Sequence, residues 1–267
     1  MLLKDKVVII SGIGPGLGVK LALNAAQEGA RGLVLAARTA AKLDDAEARI
    51  RALNVDCEIL KVPTDICNRD QCELLVAKSL EVFGRIDGLV NSAFYHGNFE
   101  PVASADLTEW RKVMDTNLMG TMNITQAVVP TMQKQGAGSI VMINTMAARK
   151  PFVMDFGGES GYAASKAALA TTVKYLAKEL GQDGIRVNSA YMGWMWGEPV
   201  QAYIDFEMNQ QDISQDEAVA QVTQNIPLGR IPTDDECARS ALFLVSDYAS
   251  AMTGASLDIN GGEFMSA

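Results

Sequence analysis

The sequence has little from which a metal site could be built. It contains one histidine and four cysteines in 267 residues. The cysteines form no CxxC pair, the spacing typical of zinc and redox sites. We therefore predict no metal site and expect four reduced, partly buried thiols. The cysteines are Cys57, Cys67, Cys72 and Cys237.

Long hydrophobic runs and an excess of positive charge are also absent. No apolar stretch approaches the roughly 20 residues that span a bilayer, and residues 1–6 lead directly into a strand-like run instead of a signal-peptide core. The net charge of −9 argues against a surface for nucleic acid or an anionic membrane. We expect a cytoplasmic protein that binds neither.

Short runs of valine, isoleucine and leucine alternate with longer stretches of helical periodicity. This alternation is typical of βα units on a parallel sheet. The predicted strands are 7–10, 32–36, 57–62, 88–90, 139–143, 186–190 and 256–259. The predicted helices are 16–28, 40–53, 69–83, 108–133, 162–180 and 234–245. The pattern predicts an α/β fold: one domain, 1–267, with a doubly wound, seven-stranded parallel sheet flanked by helices.

The segment 191–225 departs from this alternation. It carries two tryptophans, several methionines and a polar run, and it has no strand signal. It follows the sixth predicted strand at its carboxyl end, where open α/β sheets bind ligands. We predict a mobile lid over a substrate pocket.

A glycine-rich turn lies between the first predicted strand and the first predicted helix. Gly12, Gly14, Gly16 and Gly18 allow a tight turn and a close backbone approach; Leu17 lies in the same turn, and the helical run 19–23 follows it. Amides at such a helix N-terminus can receive a pyrophosphate, so the turn predicts dinucleotide binding.

The spacing of Gly12, Gly16 and Gly18 resembles the TGxxxGxG turn of the short-chain dehydrogenase/reductase family, with Ser11 where threonine is usual. Four further motifs in the same order extend the resemblance over essentially the whole chain. They are Asn91-Ser92-Ala93, Asn117, Tyr162-Ala163-Ala164-Ser165-Lys166, and Arg186-Val187-Asn188 followed by Met192-Gly193.

The resemblance implies a Rossmann-type, single-domain oxidoreductase that uses NAD(P)(H) to interconvert an alcohol and a carbonyl. It also implies a homotetramer, with helices 108–133 and 162–180 pairing across a two-fold axis. Beyond the glycine turn, it implies cofactor contacts from Asp65, Ile66, Asn91, Ala93, Tyr162, Lys166, Gly193 and Met195.

A catalytic group is implied by the same resemblance. Tyr162 and Lys166, four residues apart, share one helix face. A free phenol has a pKa of about 10, and a nearby cation favours the phenolate. Tyr162 is expected to exchange the hydroxyl proton, and Lys166 to lower its pKa and hold the nicotinamide ribose. Asn117 is expected to position the helix and a water relay.

Thr145 stands where the family usually carries the fourth catalytic residue, a serine. Its hydroxyl can donate to the same carbonyl oxygen, although its methyl group stiffens χ1. Asn144 and Ser160 remain alternative donors.

The choice between NADP and NAD depends on the end of the second strand. Ala37 stands where an NAD-selecting aspartate would lie, and Arg38 and Thr39 follow it. Arg38 favours NADP(H), although Pro15 replaces a basic residue common in NADP-using relatives. NAD(H) stays the alternative.

Aromatic residues cluster in the segments expected to line the substrate pocket, including the loop 149–158. Such a lining favours an apolar, ring-containing substrate: a steroid, terpenoid or aromatic alcohol or ketone. Alternatives are a 3-oxoacyl-thioester reductase of the same family and a non-catalytic NADP-binding sensor. His96 is interpreted as a loop residue rather than a proton relay. The pocket candidates are Phe94, Tyr95, Phe152, Met154, Trp194, Trp196, Tyr203 and Phe206.

Overall fold

The computed structural model describes residues 1–154 and 156–265. Asp155, in the expected pocket loop, lies outside the described residues. Nine strands occur in this part of the chain: β1 (Val7–Ser11), β2 (Gly32–Ala37), β3 (Glu58–Pro63), β4 (Gly88–Asn91), β5 (Gly138–Thr145), β6 (Val153–Met154), β7 (Gly157–Gly158), β8 (Ile185–Met192) and β9 (Ser256–Ile259).

Seven of these strands form one parallel sheet, in the order β3-β2-β1-β4-β5-β8-β9. The prediction of a seven-stranded parallel sheet is confirmed. In β1, Val8 and Ile10 join one apolar cluster while Val7 and Ile9 join the other. Both faces of the sheet are therefore buried, and this explains the continuous apolar runs in the sequence.

Helices cover both faces of the sheet. α1, α2 and α9 pack on one face, and α3, α5 and α6 on the other. The α-helices are α1 (Leu17–Gln27), α2 (Ala40–Arg51), α3 (Arg69–Phe83), α4 (Leu107–Met114), α5 (Thr121–Gln135), α6 (Ser160–Leu180), α7 (Glu198–Gln211), α8 (Gln215–Thr223) and α9 (Asp234–Val245). Within the described ranges, no helix is both long enough and apolar enough to cross a membrane.

The chain order of the strands reverses at β1, which lies between β2 and β4. Ser11 and Asn91 pair at the carboxyl ends of β1 and β4. From this point the connections to the helices run in opposite directions. The gap between them is the crevice in which doubly wound sheets bind ligands.

The predicted helix 108–133 is not one regular helix. A π-helical turn, Asp115–Gly120, separates α4 from α5. The prediction was correct in extent, because apolar periodicity continues through the turn. It was wrong in regularity, since the i→i+5 hydrogen bonds of a π turn extend over only six residues here, too few to stand out from the periodicity of the helices on either side.

The segment 191–225 also differs from its prediction. Tyr191 and Met192 are the last residues of β8, where they pair with Asp258 and Ile259 of β9. The absence of a strand signal was therefore misleading for these two residues, because pairing on both sides extends the strand. The remainder forms α7 and α8.

The helices α7 and α8 have a small apolar core of their own. Ile204, Ala218, Val222, Ile226 and Ile231 are buried together, separately from the two clusters that flank the sheet. A capping box at the start of α8, between Ser214 and Glu217, satisfies backbone donors there. The segment therefore has apolar packing of its own beside the two large clusters.

The glycine turn yields the first testable prediction. Gly12 has φ +83°, and a Cβ there would lie 2.3 Å from the Ala93 backbone nitrogen, whereas a Cβ on Gly14 would meet nothing within 4 Å. Gly12→Ala should lower the free energy of unfolding by about 2–4 kcal/mol through strain and overlap. Gly14→Ala, the matched control, should leave it nearly unchanged. Denaturant unfolding measures both, and equal stabilities would contradict the close approach.

Candidate active site

A cleft of about 1280 Å³ opens at the carboxyl ends of the sheet strands. It brings together nearly all the residues predicted to bind a cofactor. Those lining it are Gly12, Gly14, Gly16, Leu17, Gly18, Arg38, Thr39, Asp65, Ile66, Ala93, Tyr162, Lys166, Gly193 and Met195. No group of three or more His, Cys, Asp or Glu side chains in the described part of the chain could hold a metal ion.

Asn91 is the one predicted cofactor residue outside this lining. Its buried side chain accepts from Ser11 Oγ at 3.5 Å and donates to Thr125 Oγ1 at 3.2 Å and Met142 Sδ at 3.1 Å. These bonds join β1, β4, α5 and β5. The Asn91 side chain holds the sheet together beneath the cleft instead of facing it.

The glycine turn is shaped for an anion. A Cβ on Gly18 would lie 2.1 Å from the Gly12 carbonyl oxygen, so the two backbones touch. Gly14 and Gly16 face open space. No side chain caps the start of α1, which leaves amide donors free at a helix N-terminus. The residues fit the pyrophosphate of a dinucleotide.

A second cationic residue accompanies Arg38 at the edge of the cleft. Arg38 is exposed, and Lys42, in the first turn of α2, lines the same cleft. Thr39 begins α2 without using its hydroxyl as a cap. Lys42 was not among the residues predicted to bind the cofactor, although its place in a predicted first helical turn, three residues after Thr39, was a usable signal.

Lys166 lies one turn beyond Tyr162 on α6, with its Nζ 5.9 Å from the centroid of the Tyr162 ring. The Nζ donates to the Ile143 carbonyl at 2.7 Å, and burial lowers the pKa of Lys166 to about 8. Thus both side chains reach the cleft from one helix face, as the spacing predicts.

The expected lowering of the Tyr162 pKa by Lys166 is not what the structure shows. Burial raises the pKa of Tyr162 above its usual value, the negative charge of Glu159 raises it further, and a hydrogen bond with Thr145 lowers it. The reason is geometric: the Lys166 ammonium is held by the Ile143 carbonyl, not by the phenol.

Thr145 ends β5 beside Tyr162. Its Oγ1 accepts from the Ala147 amide at 3.2 Å, so its own proton is free to be donated. Asn144 is buried and donates its amide to Ser189 Oγ at 2.8 Å. Ser160 begins α6 and does not line the cleft. Asn144 and Thr145 both line the cleft, but only the Thr145 side chain, among these three, forms a hydrogen bond with Tyr162.

Asn117 lies in the π-helical turn and is completely buried. It accepts from the Tyr95 amide at 2.7 Å and donates to the Tyr95 carbonyl and to Ser165 Oγ, both at 2.9 Å. Ser165 Oγ in turn donates to the Tyr162 carbonyl at 2.7 Å. The Asn117 side chain thus connects the loop after β4 to α6. Through Ser165 it holds the backbone of Tyr162 in position.

Aromatic side chains form the end of the cleft beyond Tyr162. Phe152 contacts Trp194 and Tyr203, with ring centroids 5.5 and 5.8 Å apart, and Phe156 contacts Phe206 at 5.9 Å. Two predicted pocket residues are elsewhere: Tyr95 bonds to Glu109, and Trp196 packs against the core of α7 and α8. The pocket residues confirmed as lining are Phe94, Phe152, Met154, Trp194, Tyr203 and Phe206.

His96 and Glu159 also line the cleft. Their side chains form a hydrogen bond of 2.8 Å although they are 63 positions apart in the chain. His96 is a loop residue, as interpreted, but its contact with Glu159 left no signal in the sequence.

Comparison with known proteins is consistent with this geometry. Residues 12–263 match the family model described as enoyl-(acyl carrier protein) reductase. The chain is 32% identical to levodione reductase of Leifsonia aquatica over 97% of its length and 94% of the relative. It is 35% identical to the 3-oxoacyl-(acyl-carrier-protein) reductase FabG of Thermotoga maritima over 98% of its length and 99% of the relative.

Solved structures give the same result. L-sorbose reductase from Gluconobacter frateurii, complexed with NADPH and L-sorbose, superimposes with a TM-score of 0.90 at 26% identity, covering 100% of this chain and 99% of the other. Solved relatives hold NADPH or NAD+. The chain belongs to the short-chain dehydrogenase/reductase family, and it is an NAD(P)-dependent oxidoreductase acting on CH–OH and ketone groups.

Proposed function

We propose that this enzyme interconverts a secondary alcohol and a ketone on an apolar, ring-containing substrate with NADP(H). The observation that carries the proposal is the aromatic lining of the cleft, in which the Phe94 ring lies 5.9 Å from the Tyr162 ring. Aromatic surfaces of this kind favour flat or puckered ring systems over hydrated polyols. A steroid, terpenoid or aromatic alcohol is the substrate class we infer.

The chain's own groups divide the chemistry between them. The nicotinamide ring, when bound, supplies or accepts the hydride. In the reducing direction Thr145 donates a hydrogen bond to the substrate carbonyl oxygen, and Tyr162 transfers its phenolic proton to that oxygen. Lys166 is proposed to hold the nicotinamide ribose, and Asn117 keeps α6 in place. The water relay from Asn117 stays a prediction.

NADP(H) is the cofactor we favour because two cations, Arg38 and Lys42, line the cleft just after the end of β2, where relatives of this fold select between the two cofactors. Ala37 offers no carboxylate that would repel it. We further propose that the enzyme works in the cytoplasm as a homotetramer, with the helical segment 108–133 (α4, the π-helical turn and α5) and α6 at one two-fold interface.

The likeness to FabG favours one other function, reduction of a 3-oxoacyl thioester on a carrier protein. A carrier protein requires a basic docking surface, and the net charge of −9 speaks against one. A substrate panel distinguishes the two functions.

The second prediction concerns substrate and mechanism together. Cyclic, steroidal and aromatic ketones should oxidise NADPH faster than sugars or an acyl thioester. Tyr162→Phe should reduce that rate by on the order of 10²–10⁴-fold, since it removes the proton donor and keeps the ring, while NADPH binding stays nearly unchanged. A Tyr162→Phe variant that keeps more than about a tenth of the rate would falsify the assignment of Tyr162.

Thr145 gives the third prediction. Thr145→Ala and the isosteric Thr145→Val should each lower turnover on the order of 10²-fold, because both lack the hydroxyl that polarises the carbonyl. Thr145→Ser keeps the hydroxyl and should restore or raise activity. Steady-state kinetics on one ketone measures all three. If Thr145→Ala is tolerated, Asn144 or Ser160 is the donor.

The fourth prediction concerns Arg38. Arg38→Leu should weaken NADPH binding by about 1.5–3 kcal/mol, the range for a hydrogen bond to a charged group, and leave NADH binding almost unchanged. Arg111→Leu removes an exposed arginine outside the cleft and serves as the control. Fluorescence titration measures both cofactors. Equal losses for NADPH and NADH would show that Arg38 is only a surface charge.

A further inference from the structure

A continuous row of aromatic rings leads from Tyr162 towards the mouth of the cleft. The His96 ring stacks against Tyr162 at a centroid distance of 4.8 Å and against Phe99 at 4.7 Å. Phe99 contacts Phe156 at 6.4 Å, and Phe156 contacts Phe206 at 5.9 Å. All five residues line the cleft. Tyr162 and His96 are partly buried, whereas the three phenylalanines, which we call the outer rings, are exposed.

His96 is the polar member of this row, but its polar atoms are turned towards the protein. Its Nε2 is 2.8 Å from Glu159 Oε2, and its Nδ1 is 3.4 Å from the Gly97 carbonyl oxygen. The surface that the row offers to a ligand is therefore ring surface, and it favours an apolar molecule.

The main chain holds two of the outer rings side by side. The Glu100 amide donates to the Gly158 carbonyl at 3.1 Å, and the Gly158 amide donates to the Glu100 carbonyl at 3.3 Å, which forms an antiparallel bridge. Gly157, at φ +124°, permits this approach, because a Cβ there would lie 2.3 Å from the Glu100 carbonyl carbon. Phe99 and Phe156 flank the bridge. Their placement thus follows from backbone pairing as well as from contact between the rings.

The outer rings keep much of their surface in water. Phe99 and Phe206 are each 39% exposed, and Phe156 is 49% exposed. None of the three belongs to the apolar clusters formed by the described residues. Single exposed apolar side chains are ordinary, but a contiguous set that continues a ligand cleft indicates a binding surface.

One ring placed against Tyr162 cannot cover this surface. Successive rings from Tyr162 to Phe206 are separated by 4.7 to 6.4 Å, and His96 lies in the row before the first outer ring. A ligand that reacts beside Tyr162 reaches the outer rings only through a further apolar part joined to the reacting ring.

We propose that the outer rings form a subsite for a second apolar ring system, joined to the ring that carries the alcohol or ketone, so that the enzyme selects polycyclic over monocyclic substrates. The inference rests on the proposed function, which places the reacting group beside Tyr162. It makes Phe99, Phe156 and Phe206 specificity-determining residues.

Binding of two ketones to the enzyme saturated with NADP+ tests this subsite without turnover. No hydride is available in such a complex, because ketone and cofactor are both oxidised. Cyclohexanone is the single-ring probe, and decalone carries the same cyclic ketone fused to a second six-membered ring. Isothermal titration calorimetry gives both dissociation constants. Decalone should bind about tenfold more tightly or better, since its second ring buries apolar surface.

The ratio of the two dissociation constants is the quantity to compare between variants, because a general disturbance of the cleft affects both ketones and cancels. Phe99→Ala, Phe156→Ala and Phe206→Ala should each reduce the preference for decalone by about three- to tenfold. Phe156→Leu keeps apolar surface and should retain most of the preference. Tyr248→Ala removes an exposed aromatic ring outside the cleft lining and is the control. Thermal unfolding confirms that the variants are folded.

The outcomes separate this inference from the proposed function. If the alanine variants weaken both ketones alike, the outer rings only pack the mouth of the cleft or are covered by another protein surface, and the inference is wrong. It is also wrong if the wild type does not prefer decalone. If the preference depends on the outer rings but no cyclic ketone oxidises NADPH, the subsite stands and the proposed function fails.

Discussion

The site depends on one constraint, the contact between the backbones that leave β1 and β4. Gly12, at φ +83°, leaves no room for a side chain against Ala93, and Gly18 leaves none against Gly12. Parallel pairing of β1 with β4 brings these turns together where the strand order reverses. This contact places the crevice next to the uncapped start of α1. The other segments that line the cleft follow strands that are neighbours of β1 and β4 in the sheet.

Around that frame, the pKa of Tyr162 depends on burial and on two opposing interactions of the phenol. Burial and Glu159 favour the neutral tyrosine, and the hydroxyl of Thr145 favours the phenolate. Lys166, whose pKa burial lowers to about 8, is held by a carbonyl instead. Catalytic groups commonly lie where such effects compete. Here the competition involves residues from the loop after β4, the end of β5 and α6.

Local patterns predicted the fold and most of the site. The glycine turn and the Tyr162–Lys166 spacing are short-range features, so the sequence alone places them on a turn and on one helix face. Contacts between distant residues could not be predicted: the pairing of His96 with Glu159 spans 63 positions, and Asn91 faces the interior because Thr125 and Met142 meet it there. The π turn at Asn117 could not be predicted because its six residues lie between two α-helices and are too few to give a pattern of their own.

The separate apolar core under α7 and α8 has a further consequence. Ile204, Ala218 and Val222 pack among themselves and not into the clusters on the sheet. The rings that line the aromatic end of the cleft, such as Phe156 and Phe206, therefore lie outside the packing that stabilises the sheet. Divergence of these rings in sequence would reshape that end of the cleft and leave the two large apolar clusters as they are.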